Sequence, residues 1–594
     1  MENRKVLKSG EFLVEEVDAN DIFIPEEYNE EQQMIAETIK DFLAAELYPN
    51  LDQLDSPDIQ LMKTILKKSG DLGLMGISLP EEYNGFGQDF ITQMLAAETI
   101  GAGYSFSVAF MAHCGIGTLP IMYYGNEDQR QRYVTKLATG EMLGAYCLTE
   151  PGAGSDANSG KTQAKLSEDG KHYILNGQKM WITNANFADV QTVFAKIDND
   201  RVLSAFIVER DYPGVVISPD EKKMGIKGSS TAQIFYNDVK VPVENLLGKR
   251  GEGFRIALSI LHMGRIKLGA NVLGAAKKAI NDSVQYANER KQFGVLISTF
   301  GALKHKMAEQ VIRTFALESA IYRVSKDIDR QIELNKAAGM DKGKAAVEGI
   351  AHYAVEAAIL KLYGSEALDY VIDEAVQIHG GMGYSAEMAV ERGYRDSRIN
   401  RIFEGTNEIN KLLVVDTAMK RGMKGDFDLA GKAEALKNNL DTIVEKEVGG
   451  ENYYDEKTRV LRNFKNAILL VMNGSSTKFG RQLISEQEVL NNLSNMITEL
   501  YMAESTALRV KKMETIKGDA GMSVYKQILD VLIYDAAGIV EKNGLDAIHS
   551  FAEGDEAKGL AAAVKALTNI KGVNVKVSRR AIADKLIEDN SYKF

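Results

Sequence analysis

The hydrophobic period of this chain changes twice, and those two changes constrain the fold more than any single residue does. From Glu31 to Gly140 apolar residues recur at helical spacing, as in Ile35, Ile39, Phe42, Leu43 and Leu47. At Leu143 the pattern becomes strand-like. Ala145–Thr149, Val190–Ile197, Val202–Val208 and Ala232–Val241 read as strands, and His172–Thr183 reads as a hairpin turning at Asn176-Gly177, the pair a type I′ turn favours. Helical spacing returns at Gly253 and runs to about Arg421. A further helical block follows, with one stripe at Val460, Leu461, Phe464, Ile468 and Val471. A second stripe, at Val489, Leu490, Leu493, Met496, Ile497 and Leu500, follows a Ser485-x-x-Glu488 capping box. At 594 residues the chain is too long for one core. The expectation is an α+β multidomain protein: an N-terminal arm over 1–30, a helical domain over 31–142, a barrel-like β domain over 143–252, a helical bundle over 253–425 and a helical extension over 430–594.

Composition narrows the partners. A net charge of −12 and a pI near 5.4 argue against nucleic acid or an anionic membrane as the main partner, since both want a basic surface. Two cysteines, Cys114 and Cys147, build no disulfide framework and sit in no CxxC. There is no run of about 18 consecutive apolar residues, so no integral membrane segment is expected. The acidic N-terminus does not read as a targeting peptide. A cytoplasmic location is expected.

Chemistry concentrates in a few stretches. Gln377–Leu412 opens on Gly380-Gly381-Met382-Gly383, continues through Glu387, Glu391, Arg392, Arg395 and Asp396, and closes on Phe403-Glu404-Gly405-Thr406, where a new helix begins. A permissive loop, a charged helix and a carboxylate on a second break point to a site for a large polar ligand with a positioned base. Thr149–Ser159 (TEPGAGSDANS) formally satisfies the loose dinucleotide fingerprint GxGxx[GA]. A Rossmann unit needs a helix after the glycines, and here an alternating run follows Asn158-Ser159-Gly160, so that reading fails. Trp181, the single tryptophan, shares a strand face with Thr183, so its ring could cover a flat ligand whose edge the hydroxyl bonds.

These motifs resemble the acyl-CoA dehydrogenases. The second signature of that family matches at Gln377, Gly380, Gly381, Gly383, Tyr384, Glu387, Arg392 and Asp396. The first matches over Leu148-Thr149-Glu150 and Gly154-Ser155-Asp156, and Asn176–Thr183 resembles the flavin-facing hairpin. The resemblance covers residues 31–425 specifically and the extension by type, as in the very-long-chain members. It implies the acyl-CoA dehydrogenase fold, with a C-terminal four-helix bundle, and FAD as cofactor. FAD would be held by Tyr146, Cys147, Leu148, Thr149, Gly154, Ser155, Trp181, Ile182 and Thr183. Arg290, Gln292 and Phe293 would reach it from a neighbouring subunit, and Gln377, Gly380, Gly381, Thr406 and Glu408 would close the far end.

Glu404 matches the catalytic base. Some members place the base immediately before the arginine that here is Arg265, but this chain has Gly264 there. Ser155, Arg265 and Gly405 would line the thioester. Val108 and Ala112 stand where medium-chain members close the acyl pocket with Gln and Glu, which implies a deeper pocket and long-chain fatty acyl-CoA. The implied reaction is α,β-dehydrogenation to the trans-2-enoyl thioester, the first step of β-oxidation, with electrons passed to an electron-transferring flavoprotein by a homodimer. An oxygen-using acyl-CoA oxidase and a non-catalytic acyl-CoA-binding or assembly protein are the competing readings.

Overall fold

A computed structural model describes residues 6–56, 58–437 and 451–594, so the first five residues of the expected arm and residues 438–450 of the extension lie outside the described residues. The N-terminal helical domain contains α1 (Glu30–Phe42), α2 (Ile59–Asp71), α3 (Phe90–Gly101) and α4 (Tyr104–Ala112). α1 starts on an Asn29/Gln32 capping box, and α3 starts on Asp89, whose side chain accepts from Thr92 N.

The middle domain is an eight-stranded mixed sheet. Its strands are β1 (Gly144–Cys147), β2 (Gln163–Leu166), β3 (His172–Thr183), β4 (Val190–Ile197), β5 (Ser204–Glu209), β6 (Val215–Ile217), β7 (Thr231–Pro242) and β8 (Leu246–Leu247). They run in the order β6-β7-β3-β2-β4-β5-β8, with β1 parallel to β4.

The bundle contains α5 (Gly253–Glu289), α6 (Gly301–Ala337), α7 (Ala354–His379), α8 (Ala389–Ser397) and α9 (Asn407–Met423). α5 is its spine and crosses α3 at almost backbone contact. A Cβ on Gly274 would lie 1.7 Å from Glu98 O, and one on Gly101 would lie 1.9 Å from Asn271 O. The extension contains α10 (Tyr453–Phe479), α11 (Gln487–Lys517), α12 (Ser523–Phe551), α13 (Gly554–Thr568) and α14 (Val575–Asp589). Both expected stripes are buried, the first along α10 and the second along α11.

Several expectations are corrected. His172–Thr183 is one strand, not a hairpin. Asn176-Gly177 forms a register shift against β7, where Asn176 Nδ2 donates to Asp238 Oδ1 at 2.9 Å and Asp238 N returns a bond to Asn176 Oδ1. The pair serves a bulge because β7 and β2 already flank the strand on both sides. No Ser485 capping box forms: Ser485 ends a 3₁₀ turn, and α11 begins at Gln487 after Glu486. The described part of the arm is a packed strap of three 3₁₀ turns with Phe12, Leu13, Ile22 and Ile24 buried. Ser9 Oγ and Gly10 N donate to the buried Glu356 carboxylate at the start of α7, and Lys512 of α11 donates to Ile22 O at 2.6 Å. The stretch Tyr104–Tyr124, though apolar and long enough to cross a membrane, has 78% of its most apolar window buried inside the protein, as does 67% of that in α5.

Buried ion pairs join the parts. Lys277 of α5 meets Glu98 of α3 at 2.6 Å and also Glu318 of α6. Glu318 takes Arg509 of α11 at 2.7 Å, and Arg509 also holds Glu26 of the strap at 2.8 Å. Such a chain is tolerable only because each charge has a partner. If the strap is structural, Phe12→Ala costs about 3–5 kcal/mol in urea unfolding, whereas truncation on a loose arm would cost under about 0.5 kcal/mol.

Candidate active site

The turn before α9 is the strained point. Glu404 and Gly405 both lie in the left-handed region, at φ of 57° and 83°. A glutamate there is unfavourable by itself, and strain of this kind gathers at functional sites. Its carbonyls hold it in place. Arg265 Nε of α5 donates to Glu404 O at 3.2 Å, Lys361 Nζ of α7 to Gly405 O at 2.7 Å, and Asn410 Nδ2 to Gly405 O at 2.8 Å. Thr406 caps α9 by accepting from Ile409 N. The Glu404 N–H donates to no protein acceptor among the described residues.

The Glu404 carboxylate lies over Gly264, where a Cβ would come 2.7 Å from Oε2. Oε2 is buried and accepts no hydrogen bond. Desolvation lifts the Glu404 pKa to about 7 against the opposing pull of Arg265 and Lys361. Tyr146 faces the same space with a buried, unpartnered hydroxyl, its pKa raised first by burial and then by the charge of Glu404. Beside Arg265, the pKa of His262 falls to about 3 through burial and that positive charge, which keeps the imidazole neutral.

The β domain supplies a second wall. Met180 N donates to Thr149 O at 2.9 Å, which sets the Leu148–Ser155 loop beside Trp181. Trp181 is 52% exposed, and its φ of 59° coincides with a second register shift in β3. That bulge lets both Lys179 and Ile182, three residues apart, face inward, while Trp181 and Thr183 turn outward. Gly154 has no atom within 4 Å of where a Cβ would stand, and neither does Gly380 or Gly381. An exposed ring on strained backbone, an open glycine loop and the orphaned Tyr146 hydroxyl fit a large flat cofactor.

The side chains of Cys147 and Ile182 point into the β core and Leu148 is also buried, so these three could meet a ligand only through backbone. Ser155 stands at the exposed rim. Val108 lines a cavity between α4, α5, α7 and α8 together with Asn271, Ala275 and Ile372, while Ala112 lies outside its lining. Arg290, Gln292 and Phe293 stand on a small ribbon past the end of α5, with Phe293 94% exposed. Tyr286 stacks on His379 with ring centroids 4.2 Å apart, so this ribbon shares one end of the bundle with Gln377, Gly380 and Gly381. Gly264 and Glu289 are separated by about 37 Å of helix, so Glu404 and the ribbon of one chain are not brought together. Glu408 is exposed beyond Thr406.

The arginines of the charged helix are spent on ion pairs, while its Ala389, Val390 and Gly393 line the cavity beside Val108. Arg392 and Arg395 of α8 pair with Asp52 and Asp55 of the short helix Leu51–Asp55 at 2.6 and 2.8 Å. Asp396 accepts from Ile226 N. These charges tie the bundle to both other domains.

The residue pair that holds the Thr149–Ser155 loop was not anticipated. Lys179 Nζ meets Glu150 Oε1 at 2.6 Å with both side chains buried, and Glu150 also accepts from Lys161 N and Thr162 N. The only signal for it was a lysine on the inward parity of a strand, which becomes readable once the bulge is known.

Known proteins align over the same segments. Residues 29–141, 145–239 and 251–419 match the family models Acyl-CoA dehydrogenase, N-terminal, middle and C-terminal domain, and 463–566 match a further model of the same C-terminal description. A probable acyl-CoA dehydrogenase of Bacillus subtilis is 40% identical over 587 residues, 99% of this chain and 98% of that one. The very long-chain specific acyl-CoA dehydrogenase, mitochondrial, of Homo sapiens is 40% identical over 62% of this chain and 54% of its own. The crystal structure of an acyl-CoA dehydrogenase complexed with FAD from Bacillus anthracis superposes with a TM-score of 0.96 at 42% identity, over 99% of this chain and 100% of that one. Butyryl-CoA dehydrogenase from Megasphaera elsdenii gives 0.58 at 34% identity, over 66% of this chain and 99% of its own.

Glu150→Gln would strand a buried ammonium, so urea unfolding should show a loss of about 3–5 kcal/mol. Adding Lys179→Met to Glu150→Gln should recover most of it, because the uncompensated charge is then gone while the amide oxygen still accepts from Lys161 N and Thr162 N.

Proposed function

This chain belongs to the acyl-CoA dehydrogenase family, and on that premise we propose that it converts long-chain fatty acyl-CoA to the trans-2-enoyl thioester with Glu404 as base. It is an oxidoreductase acting on acyl-CoA, with FAD as cofactor. The observation that carries the assignment of Glu404 is its carboxylate, strained, unpartnered and desolvated, facing the space beside Tyr146 and Arg265.

The main chain from Tyr146 to Ser155, Trp181 and Thr183 would hold the isoalloxazine end of the cofactor. Bound FAD supplies the acceptor for the β-hydrogen, which leaves as hydride. Glu404 Oε2 takes the α-proton, and its raised pKa suits a base working near neutrality. The unengaged Glu404 N–H is placed to donate to the thioester carbonyl as negative charge develops there. Arg265 holds the Glu404 carbonyl behind the site and keeps a positive charge near the carboxylate.

Long chains are favoured by the cavity that Val108 lines. Ala275 in its wall lies about 16 Å along α5 from Gly264, and an extended chain advances about 1.3 Å per carbon, so roughly a dozen methylenes span the distance. A homodimer is supported by the ribbon bearing Arg290, Gln292 and Phe293. A helix length separates it from Glu404 of its own chain, so it reaches a cofactor only in a second copy. α11 and α14 of the extension pack along α6, which leaves less of that face for further assembly. Electrons pass to an electron-transferring flavoprotein, and the enzyme works in the cytoplasm.

Anaerobic titration with acyl-CoAs from C4 to C20 should bleach the flavin, most completely with long chains. Glu404→Gln should lower kcat by about 10²–10⁴-fold with FAD retained, and near-normal turnover removes Glu404 as base. Because the base acts ionised, wild-type kcat/KM should rise with pH up to about 7 and level above it.

A further inference from the structure

We propose that Lys361 is a positioning residue of the dehydrogenation, a buried cation that clamps the Glu404–Gly405 turn from behind and supports the ionised form of the base. The proposal rests on the reading of Glu404 as base. Lys361 is fully buried on α7, yet among the described residues it makes no ion pair with a carboxylate within 4 Å. Its ammonium is spent on neutral acceptors: Gly405 O at 2.7 Å and Asn407 Oδ1 at 2.7 Å. Desolvating a lysine for two carbonyl oxygens is costly, and burial lowers its own pKa to about 8. Asn410 Nδ2 shares the clamp, donating to both Gly405 O and Thr406 O, but it is neutral. What the lysine adds is charge.

The surroundings make that charge specific to the base. Glu404 is faced by Arg265 from α5, Lys361 from α7 and the Tyr146 hydroxyl from β1. Lys361 is faced in turn by Arg265, by Glu408 of α9 and by Glu366 of its own helix. Asn407 fixes the ammonium: its Oδ1 accepts from Lys361 while its Nδ2 donates to Ser365 Oγ and Glu366 Oε1. The arrangement holds two left-handed residues in place and keeps a positive charge behind a carboxylate that burial would otherwise leave protonated. Both effects act on Glu404 and neither requires contact with the substrate.

The test compares Lys361→Met, Lys361→Arg and wild-type holoenzyme with a long-chain acyl-CoA and an artificial electron acceptor, with flavin content and melting temperature recorded for each. In Lys361→Met, kcat should fall by about 10²-fold with KM little changed, because the base is misplaced, not the binding surface. The acidic limb of kcat/KM should move to higher pH, since one of the two cations favouring carboxylate is gone, and Lys361→Arg should return the limb toward wild type. Wild-type kcat with an unmoved acidic limb in Lys361→Met overturns the proposal. If that variant does not assemble with flavin, Asn407→Ala, which frees the ammonium but leaves its charge, carries the test. It should lower kcat several-fold, and a wild-type kcat overturns the proposal there too. A wild-type enzyme that oxidises no acyl-CoA would instead sink the underlying reading, so the two failures are distinct.

Discussion

Two consecutive residues held in the left-handed region, with their carbonyls pulled one way and a carboxylate facing the other, are the constraint around which this molecule is arranged. A glutamate at positive φ is held by its surroundings or it relaxes. Here the holding groups come from two long helices, Arg265 on α5 and Lys361 on α7, and from Asn410 on α9. Gly264 leaves the space into which the carboxylate folds. The packing of three helices is therefore also the packing of one side chain.

The rest of the fold keeps those helices and the β domain in fixed relation. α3 and α5 touch at Gly101 and Gly274 so closely that side chains are excluded. Polar links continue where apolar packing stops: Glu98, Lys277, Glu318, Arg509 and Glu26 connect helical domain, bundle, extension and strap in sequence. Arg392, Arg395 and Asp396 do the same work between bundle, helical domain and β domain. Glu318 and Arg509 are buried with their partners, the condition under which burial is tolerated, whereas Arg392 pairs with a solvent-exposed Asp52.

Much of this was readable along the chain, because period is local. The start of α5 at Gly253, the strand at Val190–Ile197 and the two stripes of α10 and α11 follow from spacing alone. What could not be read depends on neighbours distant in sequence. Asn176-Gly177 has the chemistry of a turn, and it becomes a bulge because β2 and β7 occupy both edges of its strand. The strap has no periodicity because its contacts are with α7 and α11, hundreds of residues away. The charges of α8 look like a ligand surface until Asp52 and Asp55 are seen opposite them. At the site, Glu404, Arg265 and Trp181 were accessible through motif resemblance, whereas Lys361 stands mid-helix with no motif around it, and the Lys179–Glu150 pair, though its members lie inside the two β-domain motifs, shows only once the bulge turns the lysine inward.

The length of α5 has a consequence for how damage would be felt. With Glu404 set over Gly264 and the ribbon about 37 Å further along α5, one chain cannot bring the two together. In the proposed homodimer, a defect in the ribbon would leave the owner's own reaction centre untouched and disable the one next door. Mixed populations of sound and faulty chains would then lose activity by partnership, not by headcount, and two differently broken chains could restore one working centre between them.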